Sequence, residues 1–143
     1  MPAYITQSDL EERYGTQFLI QLTDRAETPT GAIDADVVTR AISQTEGLID
    51  GYLAGRYALP LTTVPDPIPA IAAQIAIYVL HVYEPNPKIT RDYEMAIKDL
   101  ERISRGTIQL AAEGVAAETT GGGGAQLTDR ERPFTETTMK GFI

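Results

Sequence analysis

Hydrophobic positions along the chain fall into five groups, and the spacing within each predicts a helix. The most apolar group spans residues 66–83, DPIPAIAAQIAIYVLHVY, where Ile68, Ile71, Ala72, Ile75, Ala76, Tyr78, Val79, Leu80 and Val82 nearly encircle a helical axis. A helix apolar on almost every side is either central to a core or in a membrane. Crossing a bilayer takes roughly 20 apolar residues, and Gln74 and His81 interrupt this shorter run. A core helix over 66–83 is predicted, buried on nearly every side. Asp66 suits its N-cap and Pro67 its first position, where a missing N–H costs nothing. Pro69 still falls within the first turn.

The other groups are amphipathic. Residues 8–15 predict a short first helix, with Thr6 or Ser8 as cap, acids in its first turn and Gly15 at its end. Phe18, Leu19, Ile20 and Leu22 form a second short apolar patch, and residues 23–31 a polar connection with turn chemistry. Asp34 then caps the longest helix, expected to run to about Arg56. Its buried stripe is Val38, Ala41, Ile42, Thr45, Leu48, Ile49, Tyr52 and Leu53. Gly47, Gly51 and Gly55 recur on it every fourth residue. Each costs about 1 kcal/mol against Ala in a helix interior, which leaves two readings: a neighbouring backbone approaches closely, or this helix end is weak. Residues 59–65 make a proline-stiffened crossing into the core helix.

Pro85 and Pro87 break the core helix, and Asn86 and Pro87 open the last one. There Tyr93, Ala96, Ile97, Leu100 and Ile103 make an apolar stripe, Glu94 and Lys98 are spaced for an ion pair, and Gly106 ends the helix. Residues 107–110 could form a short extended piece. Beyond Leu110 the pattern stops: an Ala-rich stretch is followed by four glycines at 121–124 and a tail with few large apolar residues. Those few, Phe134, Met139, Phe142 and Ile143, cluster at the end. Such a tail is expected to be an arm that docks on a partner chain, or else a disordered extension. The whole predicts an all-α fold: a small bundle of about four to five helices over residues 1–110, then a flexible linker and arm over 111–143.

Composition narrows the function classes. A length of 143 residues suits one modest core. The net charge of −8 argues against an autonomous DNA-binding module, since phosphate contacts need clustered Lys and Arg. It leaves room for a surface that DNA passes without sticking. Cysteine is absent, which removes disulfides, thiolate nucleophiles and Cys metal sites. The N-terminal residues lack the basic and apolar regions of a signal peptide.

Catalytic constellations are missing as well. His81, the single histidine, lies in the core helix among apolar neighbours and is expected to be a buried packing residue. One His without Cys makes no zinc site of the usual kinds. The glycines at 121–124 lack the Lys-Ser/Thr of a phosphate loop, and Asp34 and Asp36 do not continue into a calcium loop. The paired acids Glu11/Glu12, Asp92/Glu94 and Asp99/Glu101 are expected to solvate exposed faces. No catalytic residue, cofactor or metal is expected, and the chain is read as a non-enzyme.

One segment carries a resemblance. Residues 49–61, IDGYLAGRYALPL, resemble the hallmark I-D-x-Y-L-x-x-R-Y-x-L-P-L of the Mu-like phage head–tail connector (adaptor, or head-completion) family. As in that family, a proline (Pro65) and an apolar helix with Ile75-Ala76-Ile77-Tyr78 follow. The N-terminus, with Tyr4, Thr6, Asp9-Leu10, Arg13 and Gly15, is similar too. So is the ending Arg132-Pro133-Phe134-Thr135 with Met139-Lys140-Gly141-Phe142. Where the family often has Arg-Asp after its Phe-Ser, this chain has Glu136-Thr137.

The resemblance implies a small helical bundle that assembles as a homo-oligomeric ring, commonly of twelve copies, in the virion neck after synthesis in the host cytoplasm. Such a ring sits between the portal protein and a downstream stopper or tail-terminator protein, and genomic DNA passes through it without sequence-specific binding. The implied portal-docking arm uses Arg132, Phe134, Thr135, Met139, Gly141 and Phe142. Asp50, Tyr52, Arg56, Tyr57, Leu59, Pro60 and Leu61 belong to the hallmark segment and to the subunit interface or the domain itself. Within it Ile49, Tyr52 and Leu53 read as core, and Asp50 pairs with Arg56 or Arg40 or is exposed. Arg56 and Tyr57 serve either a subunit interface or the anchoring of the crossing on their own subunit. The rival readings are another neck or tail component, such as a stopper or tail terminator, and a small helical DNA-binding regulator.

Overall fold

The computed structural model describes residues 3–111, and among these the chain forms five helices and no strand. The all-α expectation holds. The expected arm residues Arg132, Phe134, Thr135, Met139, Gly141 and Phe142 lie outside the described residues.

The first two helices, α1 (Gln7–Tyr14) and α2 (Thr16–Thr23), are short and joined through Gly15, whose φ of 89° is open to glycine. Thr6, not Ser8, caps α1. Its hydroxyl accepts from the Asp9 N–H at 3.2 Å, and the Asp9 carboxylate accepts from the Thr6 N–H at 2.9 Å. The Thr6 hydroxyl also donates to the Asp9 carboxylate at 2.8 Å, and this bond first, then the one from the Thr6 N–H, holds the Asp9 carboxyl below its usual range. The polar connection after α2 wraps around Asp24, whose carboxylate accepts from the N–H groups of Thr30 and Gly31 at 2.9 and 3.0 Å.

Helix α3 (Ala35–Leu53) starts at Asp34, whose side chain accepts from Asp36 N–H at 3.0 Å. The predicted stripe is its inner face: Val38, Ala41, Thr45, Ile49 and Leu53 are buried, Ile42 and Tyr52 half-buried, and Leu48 sits at the exposed margin. The helix ends at Leu53 rather than Arg56. An ideal Cβ on Gly47, Gly51 or Gly55 would meet nothing within 4 Å, so no backbone among the described residues packs against them.

Helix α4 (Ile68–Leu80) is the centre of the bundle and packs against both α3 and α5 (Pro87–Arg105), which also touch each other. Eight of its thirteen residues are buried, as its all-round apolarity required. Both ends differ from expectation. Asp66 is exposed and does not cap; Pro67 occupies the cap position without a side-chain hydrogen bond, and the Leu59–Pro60 and Asp66–Pro67 peptides are cis. At the other end His81 leaves helical conformation, and Val82 and Tyr83 are 63% and 87% exposed. The buried stretch therefore stops short of residue 83, because the chain turns outward at His81 before Pro85 and Pro87.

Asn86 caps α5 by accepting from Ile89 N–H at 3.0 Å, and Gly106 ends it in the left-handed region. Ile89, Ala96, Leu100 and Ile103 are buried, and the ring of Tyr93 stacks on Tyr78 of α4 with centroids 3.9 Å apart. The expected Glu94–Lys98 pair does not form; the helix pairs Lys88 with Asp92 and Arg102 with Asp99 instead. Residues 107–110 are a turn and an irregular stretch, not a strand.

Candidate functional site

The hallmark segment 49–61 runs from the last turn of α3 around the lower end of the bundle, and its side chains divide sharply by what they touch. Ile49, Leu53, Tyr57 and Leu61 are buried, with Tyr52 and Leu59 half-buried and Pro60 exposed. The strap starts tightly because the N–H groups of Arg56 and Tyr57 both bond to the Leu53 carbonyl, at 3.0 and 2.9 Å. That turn, following α3 directly, sends consecutive side chains, Arg56 and Tyr57, toward the C-terminal end of α5.

Tyr57 is 4% exposed, and its hydroxyl accepts a hydrogen bond from the Leu110 N–H at 3.1 Å. Leu110 is itself buried, and Ala111 is the last described residue. The bond therefore fastens the chain just after α5 to the hallmark segment. Arg56 lies one step away, its guanidinium against Gly106 so closely that a Cβ there would overlap it. A cation at this place faces the negative end of the α5 dipole. Its Nε is buried and has no hydrogen-bond partner among the described residues. Both side chains contact their own subunit, which leaves the two readings of Arg56 and Tyr57 open.

Asp50 departs from expectation. It pairs with neither Arg56 nor Arg40; its carboxylate accepts a hydrogen bond from the Tyr4 hydroxyl, while Glu46, one turn earlier, accepts from the Tyr4 N–H at 3.1 Å. Burial, then the bond to Asp50, pushes the Tyr4 phenol well above its ordinary range. The two acids clasp the N-terminal residues around Tyr4 onto α3. Sequence reasoning missed this because Tyr4 and Asp50 are 46 residues apart and an acid's most obvious partner is a base.

The single histidine is placed differently from expectation too. His81 is half-buried at the end of α4, beside Phe18 with ring centroids 5.9 Å apart. Its Nδ1 lies 2.7 Å from the Ile77 carbonyl, which can only accept, so Nδ1 carries the proton. The ring completes the helix end by taking an orphan carbonyl. Nearby, Arg25 donates to the Leu22 and Leu80 carbonyls at 3.2 and 2.7 Å, tying the ends of α2 and α4 together. Leu22, Arg25 and His81 border an open cleft of about 390 Å³, together with Val82 and Tyr83. Among the described residues no group of three His, Asp or Glu side chains could hold a metal ion, and no helix is long and apolar enough to cross a membrane.

Comparison with known proteins agrees with the segment's resemblance at the level of the family. Residues 4–129 match the family described as "Bacteriophage Mu, Gp36". The chain is 31% identical over 140 residues to "Gene product J" of Escherichia phage Mu, an alignment covering 98% of this chain and 99% of that protein. It is also 31% identical over 143 residues to the "Mu-like prophage FluMu protein gp36" of Haemophilus influenzae, each covered in full.

Proposed function

The chain belongs to the Bacteriophage Mu Gp36 family, and from that premise we propose that it is a structural, non-enzymatic virion protein: the head–tail connector ring of a tailed-phage neck. In this reading the ring joins the portal to a tail-side stopper or terminator and continues the channel through which DNA passes. The observation that carries it is the coupling of the hallmark segment to the root of the C-terminal segment. Tyr57 holds the Leu110 amide and Arg56 covers the end of α5, which is how a rigid domain would aim an arm at a partner. The reach needs a fixed origin, and the motif provides one.

Beyond that origin, Phe134, Met139 and Phe142 are the anchors, large apolar side chains set past a glycine linker that can fill pockets on a portal surface. An arm that folds on binding contributes area while the domain stays unchanged. Within the ring, each subunit meets its neighbours through two different faces closed by rotation. An acidic chain repeated around a channel repels the phosphates passing through it.

Deleting residues 119–143 tests the reading. The truncated domain is expected to keep its helical circular dichroism and to lose binding to purified portal complexes. Normal assembly of the truncated chain onto portals would refute the arm assignment.

A further inference from the structure

In a chain of net charge −8, the outer face of α5 is basic. Lys88, Arg91, Lys98, Arg102 and Arg105 recur at helical spacing, and all five are exposed. The opposite face of the same helix carries the buried Ile89, Ala96, Leu100 and Ile103. The cations thus form one ridge pointing straight away from the core, roughly 25 Å long at 1.5 Å per residue. Lys88 and Arg102 are paired with Asp92 and Asp99. Arg91, Lys98 and Arg105 form no ion pair or hydrogen bond within the described residues.

The first fifty residues show the reverse: nine Asp and Glu against three Arg and no Lys. Some of these acids serve the fold, as Asp9 and Asp24 do. Glu12 on α1, Glu27 in the following connection and Asp36 in the first turn of α3 are exposed and have no partner among the described residues. Among the described residues the chain therefore displays unpaired cations on α5 and unpaired anions on its N-terminal half.

We propose that the basic ridge of α5 is a docking surface for the acidic N-terminal half of a second copy of this chain. The contact is head-to-tail, since the two faces differ, and such a contact closes into a ring or continues as a filament. A nucleic-acid duplex fits the ridge less well. Asp92 and Asp99 flank it on one side and Glu94 and Glu101 on the other; these rows repel a uniformly anionic backbone, whereas the N-terminal half also exposes Arg13 and Arg40, which can face them. The inference deepens the ring reading and rests on it.

The test uses the full chain. Triple charge reversal, R91E with K98E and R105E, alters only exposed side chains, and circular dichroism checks that the fold is kept. In low salt, wild-type self-association measured by sedimentation is expected to weaken at least about tenfold in this variant, since like charges now face each other. Added salt should weaken the wild type in the same direction. Reversal of the acids, E12K with E27K and D36K, should restore association when mixed with the triple variant. Zero-length carbodiimide cross-linking should join Lys88 or Lys98 to acids of the first fifty residues in another copy.

Association of the triple variant at wild-type strength would overturn the inference and leave the ring reading standing. Failure of the wild type to associate, alone or on portal complexes, would overturn both. Retardation of duplex DNA by the wild type but not by the triple variant would overturn it in favour of nucleic acid.

Discussion

Tyr57 is the residue where fold and proposed function meet. Both ends of its hydrogen bond are buried, so removing the hydroxyl leaves the Leu110 N–H without a partner. Tyr57→Phe is expected to cost about 1–3 kcal/mol in urea unfolding, and to raise the hydrogen-exchange rate of the Leu110 amide more than that of amides within α4. Unchanged Leu110 exchange would mean that the bond does not hold the chain at that point. Gly106 is equally committed, for two independent reasons. Its φ of 81° disfavours a side chain, and a Cβ would run into the Arg56 guanidinium. Gly106→Ala should lower stability by about 1–2 kcal/mol from the left-handed conformation alone, and more if Arg56 cannot move aside. Arg56→Ala in the Gly106→Ala background should recover part of the loss, a coupling that a thermal-melt double-mutant cycle reads directly.

Among the elements, α3 is the one whose sequence was ambiguous. Three glycines at intervals of four suggest a close neighbouring backbone, yet each faces open space among the described residues. Gly47 then carries only the entropic cost of glycine in a helix. Gly47→Ala should stabilise the isolated domain by up to about 1 kcal/mol, seen as a higher melting temperature; a destabilised variant would show that something does pack there. α4 and α5 were more legible. The first is apolar all round and lies between two helices, while the second has one apolar stripe and covers one side of the core. What misled at the ends of α4 was local chemistry that competes with better-known signals. Asp66 is a favoured cap residue, but the chain enters the helix through Pro67, which carries no side-chain cap. His81 looked like core because its neighbours are apolar, but its ring serves the helix end.

At the scale of the whole molecule, stability should follow burial on α4 and stop abruptly beyond it. Ile75 is fully buried in the helix that touches both α3 and α5, so Ile75→Ala is expected to cost about 2–5 kcal/mol. Tyr83, eight residues on but 87% exposed, should tolerate Tyr83→Ser within about 0.5 kcal/mol in the same denaturation experiment. Equal losses at the two positions would contradict the outward turn at His81. The all-α class, the five helices and most of the core could be read from the sequence, since hydrophobic periodicity is a local property and each helix must bury its own apolar face. The family could be read as well, because the 49–61 motif is contiguous. Tertiary structure alone decided the long-range pairs: Tyr4 with Asp50 and Glu46, Tyr57 with Leu110, Arg56 against Gly106. It also decided that the basic face of α5 is exposed, and that among the described residues Arg91, Lys98 and Arg105 there and Glu12, Glu27 and Asp36 elsewhere have no partner. Hydrogen bonds and charges at large sequence separation leave no periodic trace, so their partners are set only when the helices pack.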